Sequence, residues 1–254
     1  KSKMSKLHPE DFFKNIISHS KEYGFIFPSS EIYDNGLSAV YDYGQLGAEL
    51  KKNIRDYWWK AMVQMNENIV GIDSAIFMHP TTWKASGHVD AFNDPLIDNK
   101  DSKKRYRVDH LIEAKAAELA EAGDQAAADA LIADMDRLLA ADDYKGLRQL
   151  LDDQKIVCSI SKTANWTDIR QFNLMFDTQL GSVTEEANTI YLRPETAQGI
   201  FVNFLNVQKT ARMKIPFGIA QTGKAFRNEI VARQFIFRMR EFEQMEMQFF
   251  VRPG

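Results

Sequence analysis

Hydrophobic residues at helical spacing predict two helices near the start of the chain. The first is expected between Pro9 and Gly24, because proline favours the first turn of a helix and glycine its C-terminal end. A longer amphipathic helix is expected from Gln45, with apolar positions at Leu46, Leu50, Ile54, Tyr57, Trp58, Ala61 and Met62. The Trp58–Trp59 pair of this helix is a large apolar surface. It faces either the core or another subunit.

Other apolar runs predict strands. "GFIFPSSEIY" is typical of a short strand and a turn, "VGIDSAIFMHP" of a strand closed by Pro80, and the following "TTWKASGHVDAFNDPLIDN" of a loop-rich stretch. "NWTDIRQFNLMF" and "TIYLRPETAQGIFVNFLNV" are sheet-forming segments, the second turning at Pro194 into a helix. Strands come before and after helices instead of alternating with them. We therefore expect an α+β fold with a mainly antiparallel sheet.

Residues 113–153 differ in character from their surroundings. They are rich in Ala, Asp, Glu and Leu, with apolar positions at helical spacing in Leu131, Ile132, Met135, Leu138 and Leu139. This pattern predicts a helical insertion with a solvated acidic face, to which we assign no function.

The last 40 residues predict a β-hairpin with two unlike faces, because strand side chains alternate between faces. One face is expected to be a polar floor, which carries Gln221, Gly223, Ala225, Arg227, Glu229, Arg238, Arg240, Phe242, Gln244, Glu246 and Gln248 in addition to Ile215, Phe217, Ile219 and Ile236. The other face is expected to be core, with Phe235, Phe237, Met239, Met245, Met247 and Phe249. Gly218, Ala220, Gly223 and Ala225 should leave room above the first strand. A half-exposed sheet with solvated charges is the alternative interpretation.

Charge changes this picture in one region. The formal net charge of the 254 residues is −3, which gives no global reason to expect nucleic acid. Yet residues 209–240 hold eight Lys or Arg and one acid, Glu229, whereas residues 113–153 hold eleven acids and four bases. An anionic ligand should therefore bind near the hairpin. Its arginines, aromatic ring and carboxylates suit phosphates, a flat heterocycle and an ammonium, which together describe an aminoacyl-adenylate.

Composition excludes several other classes. The single cysteine, Cys158, excludes a disulfide framework and a thiolate zinc cluster within the chain, and we expect it to be a small buried residue rather than a nucleophile. The basic start lacks an apolar core of a signal peptide, and no run approaches the about 18 apolar residues of a membrane span. The cytoplasm is the expected compartment.

At the hairpin, the sequence resembles the class II aminoacyl-tRNA synthetases, and among them the glycyl-tRNA synthetases of the homodimeric type. "FRNEI" with "RMREFEQMEMQFF" resembles the second class II signature. "YLRPETAQGIFVNF", "SSEIYDNGLSAVYDYGQLG", "KASGHVDAFNDPLIDNKDSKKRYRVDHL" and "NWTDIRQFNLMF" resemble glycyl-specific segments. The resemblance implies a class II antiparallel sheet flanked by helices. The long helix through Trp58 and the strand ending at Pro80 resemble the first class II signature, which implies a dimer interface there.

The resemblance also implies roles for individual residues. Arg227 would be the catalytic arginine that grips the α-phosphate of ATP, and Phe242 would stack on adenine. Glu195 and Glu246 would bind the glycine ammonium. The implied ATP-binding residues are Arg227, Asn228, Glu229, Phe237, Arg238, Met239, Arg240, Glu241 and Phe242. The implied glycine-binding residues are Glu195, Phe242, Glu243, Gln244, Met245 and Glu246, with Arg105 or Arg107. ATP with Mg²⁺, glycine, tRNA(Gly) and a second copy of the chain are the implied ligands and partners.

The expected organisation has three parts. Residues 1–112 would be the N-terminal part of a catalytic domain, residues 113–153 the helical insertion, and residues 154–254 the core sheet with the second signature. No segment resembles the third class II signature or an anticodon-binding domain. Two alternatives to a glycine–tRNA ligase stay open. In the first, the chain is a fragment without catalysis that binds ATP or an adenylate, or that dimerises. In the second, it is a class II ligase for another acid.

Overall fold

The computed structural model describes residues 9–181, 188–230 and 235–254. The helices in chain order are α1 (Pro9–Glu22), α2 (Gln45–Trp59), α3 (Pro80–Ala85), α4 (His88–Ala91), α5 (Val108–Glu121), α6 (Gln125–Ala140), α7 (Tyr144–Asp153), α8 (Ala197–Val202) and α9 (Phe204–Thr210). The strands are β1 (Ile26–Pro28), β2 (Tyr41–Tyr43), β3 (Ile69–Ile72), β4 (Asn93–Asn99), β5 (Lys104–Arg107), β6 (Arg170–Asn173), β7 (Asp177–Leu180), β8 (Asn188–Tyr191), β9 (Phe217–Phe226) and β10 (Glu241–Phe250).

The chain divides into two compact units. The first, which we call the hairpin unit, comprises residues 1–89 and 175–254, and the second, the helical unit, comprises residues 90–174. Both units combine helices with small sheets, in agreement with the predicted α+β class. Pairing is antiparallel throughout the described strands except between β3 and β9.

The helical unit buries one apolar cluster. Its sheet has the order β5-β4-β6, and its three helices α5, α6 and α7 supply most of the core. Ile112, Leu147 and Leu151 are fully buried there, and the indole Nε1 of Trp166 donates to the Ile156 carbonyl at 2.9 Å. The helices predicted for residues 113–153 are therefore present, and they share a core with residues before and after them in the sequence, among them Ile97 of β4 and Trp166.

The hairpin unit is organised around strand β9, which lies between β10 and β3. The α8 side of β9 is buried by Ile200, which packs with Phe217 and Ile219 in a core that also includes Phe204 and Phe250. The ring of Trp59 lies against Gly71 of β3. A Cβ at this position would collide with the Trp59 ring.

Two expectations from the sequence are wrong, one about residues 81–99 and one about residues 237–240. Residues 81–99, expected to be loop-rich, contain α3, α4 and β4, because Trp83 is fully buried and the run Asp94–Ile97 is buried on both faces. The segment from Phe237 to Arg240 is not strand. Phe235–Phe237 forms a 3₁₀ turn, with Phe235 at a φ of 52°, and β10 begins only at Glu241.

The two faces of the hairpin also differ from the prediction. The register places Phe242, Gln244 and Glu246 opposite Ala225, Gly223 and Gln221, so these residues share a face as expected. The same face, however, ends in the buried core around Phe217, whereas Met245 and Phe249 of the expected core face are 38% and 43% exposed. Alternation identifies which residues share a face. The helix that packs on it decides which face is buried.

Candidate functional site

A buried polar network covers the middle of the hairpin. The segment Arg193–Thr196, between β8 and α8, crosses the face that carries Gln221, Gly223, Phe242, Gln244 and Glu246, which we call the polar face. Arg193, Thr196, Gln198 and Gln221 are all buried. Buried polar groups of this number require partners, and the network supplies most of them.

Arg193 ties three segments together. Its Nε donates to the Lys224 carbonyl at 2.6 Å, and its Nη1 donates to the Ser74 carbonyl at 2.8 Å. The side chain is 2% exposed, and this burial lowers the pKa of the guanidinium below its usual range, an effect that Asp73 opposes. The expected room above Gly223 is filled, because a Cβ at that position would collide with Arg193 Nη2.

Thr196 links the same segment to β10. Its Oγ1 donates to Glu246 Oε2 at 2.6 Å, and its backbone N–H donates to Gln244 Oε1 at 3.1 Å. The other Glu246 oxygen, Oε1, accepts from Gln248 Nε2 at 2.7 Å. Each oxygen of Glu246 therefore has one neutral donor.

Glu195, the neighbour of Thr196, has a comparable set of contacts. Gln198 Nε2 donates to Glu195 Oε1 at 2.7 Å, and His88 Nε2 lies 3.6 Å from the same oxygen. His88 is in turn oriented by Ser86, whose Oγ lies 2.9 Å from its Nδ1. Two amide atoms of this region, Gln198 Oε1 and Gln221 Nε2, are buried without a hydrogen-bond partner among the described residues.

The glutamates of the hairpin fall into two groups by their partners. Lys224 pairs with Glu241 at 2.6 Å, Lys51 with Glu243 at 2.7 Å, and Arg238 with Glu229 at 3.2 Å. Glu246 and Glu195, by contrast, lie within 4.0 Å of no lysine or arginine nitrogen in the described parts of the chain. Both carboxylates are thus partly buried charges that are held by neutral or imidazole donors. A half-buried charge of this kind favours a cationic ligand.

Arg227 and Phe242 lie at the other end of the polar face. The Arg227 guanidinium carbon lies 5.4 Å from the centre of the Phe242 ring, within the range of a cation–π contact, and its Nε donates to the Pro194 carbonyl at 3.1 Å. Pro194 directly precedes Glu195. One segment therefore contacts the predicted phosphate-binding arginine and carries a predicted ammonium-binding carboxylate.

The loop before β10 is held by its arginines. Arg240 Nε donates to the Glu229 carbonyl at 3.0 Å, and its Nη1 donates to the Ser38 carbonyl at 3.0 Å. Asn228 lies between Arg227 and Glu229, and all three are half-buried. Phe237, by contrast, is 73% exposed, with its ring centre 6.1 Å from that of Phe13.

Some predicted site residues of the hairpin lie away from the polar face. Met239, Glu243 and Met245 line an apolar groove of about 360 Å³ against Leu50 and Ile54 of α2. Glu243 is largely desolvated there, which opposes its ionisation, but Lys51 and Arg55 outweigh this and hold the pKa of the carboxyl below its usual range. Glu241 shares this alternate face of β10, where Lys224 pairs with it.

Arg105 and Arg107 belong to the helical unit, on strand β5. Arg105 Nε donates to Asp98 at 2.8 Å, and Arg107 pairs with Asp94 at 3.0 Å and also with Asp109. Both side chains thus have carboxylate partners within their own unit. Their predicted role near glycine stays a prediction.

Cys158 is buried, as expected, in the helical unit. Its Sγ lies 3.1 Å from the Tyr106 hydroxyl and 3.3 Å from Ser102 Oγ. Burial opposes ionisation of the thiol, but hydrogen bonds from Ser102, Ser161 and Tyr106 lower the pKa of Cys158 to about 6.

Residues 9–181, 188–230 and 235–254 contain no cluster of three His, Cys, Asp or Glu side chains that could hold a metal ion. None of the helices in these ranges has the length and apolar character of a membrane span.

Comparison with known proteins identifies the class as aminoacyl-tRNA ligases. A family model described as glycyl-tRNA synthetase insertion domain 1 matches residues 94–131 and 122–174. The glycine–tRNA ligase of Chlorobaculum tepidum is 56% identical over 240 residues, which cover 94% of this chain and 51% of that protein. The glycine–tRNA ligase of Macrococcus caseolyticus is 53% identical over 247 residues, which cover 96% of this chain and 50% of that protein.

The chain therefore belongs to the glycyl-tRNA synthetases, and it spans about half the length of the curated relatives it matches. The resemblance seen in the sequence motifs is confirmed. A solved structure titled as the RNA binding domain of threonyl-tRNA synthetase from Cryptosporidium parvum Iowa II aligns with a TM-score of 0.48 at 15% identity, over 92% of this chain and 36% of that one. This likeness is too low to support a conclusion.

The buried position of Arg193 generates a stability prediction. Arg193→Met should lower the free energy of unfolding by about 1–3 kcal/mol, because the Lys224 and Ser74 carbonyls lose their donor. Urea unfolding measures the change. Arg252→Met, the same substitution at an exposed site, should stay within about 0.5 kcal/mol of the unsubstituted chain. Equal stability of the two variants would contradict the role assigned to Arg193.

The ion pairs of Glu243 generate a pH prediction. Because its pKa is lowered in the folded chain, its contribution to stability is complete above the ordinary glutamate value of about 4.3 and is lost as the pH falls through the lower folded value. The melting temperature should thus fall less steeply between pH 5 and pH 3 in Glu243→Gln than in the unsubstituted chain. Glu241→Gln, whose ion pair is 40% exposed, should keep most of the original slope. Parallel curves for Glu243→Gln and the unsubstituted chain would refute the assignment.

Proposed function

We propose that this chain forms the adenylate-binding part of a glycine–tRNA ligase, with a class II catalytic fold built on the β9–β10 hairpin. The observation that carries the proposal is the charge pattern of the polar face. Glu195 and Glu246 lack a lysine or arginine partner among the described residues, whereas the neighbouring Glu229, Glu241 and Glu243 each have one. An ammonium group is the ligand that these two carboxylates suit.

The first reaction step joins two anions. A carboxylate oxygen of glycine attacks the α-phosphorus of ATP, the bond from that phosphorus to the bridging oxygen of the β-phosphate breaks, and pyrophosphate leaves. Arg227 is the proposed partner of the α-phosphate and neutralises the charge that develops there. ATP enters as its Mg²⁺ complex. A terminal hydroxyl of tRNA(Gly) then attacks the glycyl carbonyl and releases AMP.

Selection of glycine is proposed to be steric. A pocket cannot strongly reject an extra methyl group by lost binding energy alone, but a rigid wall at the Cα excludes every larger side chain. The fixed donors on Glu246 and the complete burial of Thr196 support such a wall. This feature favours glycine over another amino acid as the substrate of the site.

The long helix α2 supports a homodimer. Its residues Leu46, Leu50 and Ile54 are about half exposed and Tyr57 is 77% exposed. Exposed apolar side chains at this spacing mark an interaction surface. We infer that a second copy of the chain packs on this helix and that the dimer acts in the cytoplasm, where tRNA is charged.

Pyrophosphate exchange tests the proposed function. The chain, glycine, Mg²⁺, ATP and labelled pyrophosphate should give glycine-dependent exchange of label into ATP. Glu246→Gln should lower it by about 10²-fold or more, because a charged contact to the substrate is lost, and Arg227→Ala should abolish it. The control Glu67→Gln, an exposed glutamate, should exchange as the unsubstituted chain does.

Three other results would change the proposal. Exchange with alanine at a similar rate would contradict the steric wall and favour a ligase for another acid. Binding of ATP without exchange would favour the fragment that binds nucleotide without catalysis. No binding of ATP or glycine would refute the proposed site.

A further inference from the structure

Glu246 has an arrangement of hydrogen bonds that goes beyond ligand binding. Its two carboxylate oxygens accept from different segments, Oε2 from Thr196 Oγ1 at 2.6 Å and Oε1 from Gln248 Nε2 at 2.7 Å. Thr196 is fully buried, and Gln244 Oε1 accepts from its backbone N–H at 3.1 Å. The same Gln244 oxygen lies 3.5 Å from the hydroxyl, so the shorter contact to Glu246 is the main hydrogen bond of the hydroxyl. Neither donor carries a charge.

We propose that Thr196 and Gln248 are positioning residues that hold the Glu246 carboxylate for the substrate ammonium, an inference that rests on the proposed function. A neutral donor on each oxygen fixes the plane of the carboxylate without cancelling its charge. A lysine or arginine in either place would occupy the carboxylate and compete with the ligand. Glu243 is the counterexample on the same strand, since Lys51 and Arg55 neutralise it and it lies in the groove against α2.

Thr196 also connects the two carboxylates. Thr196 follows Glu195 directly in the chain and contacts Glu246 on β10, so one segment fixes the separation of the two predicted ammonium partners. Gln248 lies two residues beyond Glu246 on the same face of β10. Loss of either donor should therefore weaken binding of the ammonium group and leave binding of the nucleotide unchanged.

A pair of probes separates these effects in the 254-residue chain. The first is 5′-O-(glycylsulfamoyl)adenosine, a stable analogue of the adenylate, and the second is 5′-O-sulfamoyladenosine, which lacks the glycyl group. The ratio of their dissociation constants, measured by calorimetry, reports the glycyl subsite alone. The unsubstituted chain should bind the glycyl probe more tightly.

Matched variants then test the two donors. Thr196→Val, which keeps the shape but removes the hydroxyl, should reduce the preference for the glycyl probe about tenfold, whereas Thr196→Ser, which keeps the hydroxyl, should retain it. Gln248→Met should reduce the preference in the same direction and provides a second test if Thr196→Val does not fold. Binding of 5′-O-sulfamoyladenosine should be the same in all variants.

The outcomes distinguish the two proposals. If the unsubstituted chain prefers the glycyl probe and Thr196→Val and Gln248→Met keep that preference, the positioning role is refuted and the proposed function stands. If the variants weaken both probes equally, their role is structural, which also refutes the inference. If the unsubstituted chain shows no preference for the glycyl probe, the proposed glycine site fails and the positioning role fails with it.

Discussion

The hairpin unit depends on the buried guanidinium of Arg193. Its hydrogen bonds to the carbonyls of Lys224 and Ser74 join the segment before α8 to strand β9 and to the chain beyond β3. A charge that is 2% exposed is costly unless its donors are used, and here backbone oxygens use them. Because Glu195 and Thr196 follow Arg193 within three residues, the hydrogen bonds of Arg193 determine the positions of both residues relative to β10. The geometry of the polar face therefore begins with a residue that has no proposed contact with substrate.

The second physical constraint is which glutamates of the hairpin unit form ion pairs with lysine or arginine and which do not. Cationic side chains that serve the fold, such as Lys51, Lys224 and Arg238, have glutamate partners on the hairpin. The polar face and the segment that crosses it carry two carboxylates, Glu246 and Glu195, without such partners in the described residues, with Arg227 and an aromatic ring nearby. One sheet can therefore carry structural ion pairs on one side and, on the other, a carboxylate without a lysine or arginine partner in the described residues. An ammonium and a phosphate can then be bound within one short stretch of chain.

Periodicity predicts α1, α2, the insertion helices and the residues that share a face of the hairpin, because each depends on local spacing. The motifs further single out Glu195, Arg227 and Glu246. Alternation does not predict which hairpin face is buried, since that depends on where α8 packs. The 3₁₀ turn at Phe235 interrupts a pattern that is typical of a strand. Nothing in the sequence assigns a role to Arg193 or Thr196, although both lie within two residues of Glu195 in the same motif. Their partners Lys224, Ser74 and Glu246 are 31 to 119 residues away, a distance that local patterns do not encode.

Glu195 and Glu246 are proposed to form an ammonium site beside a nucleotide site at Arg227 and Phe242. A crystal structure of the chain with 5′-O-(glycylsulfamoyl)adenosine would show whether they do. We expect the glycyl ammonium within hydrogen-bond distance of both carboxylates, about 2.7–3.2 Å, with adenine against Phe242 and the sulfamoyl group at Arg227. An analogue bound with its ammonium away from both carboxylates, or in the groove along α2, would contradict the account.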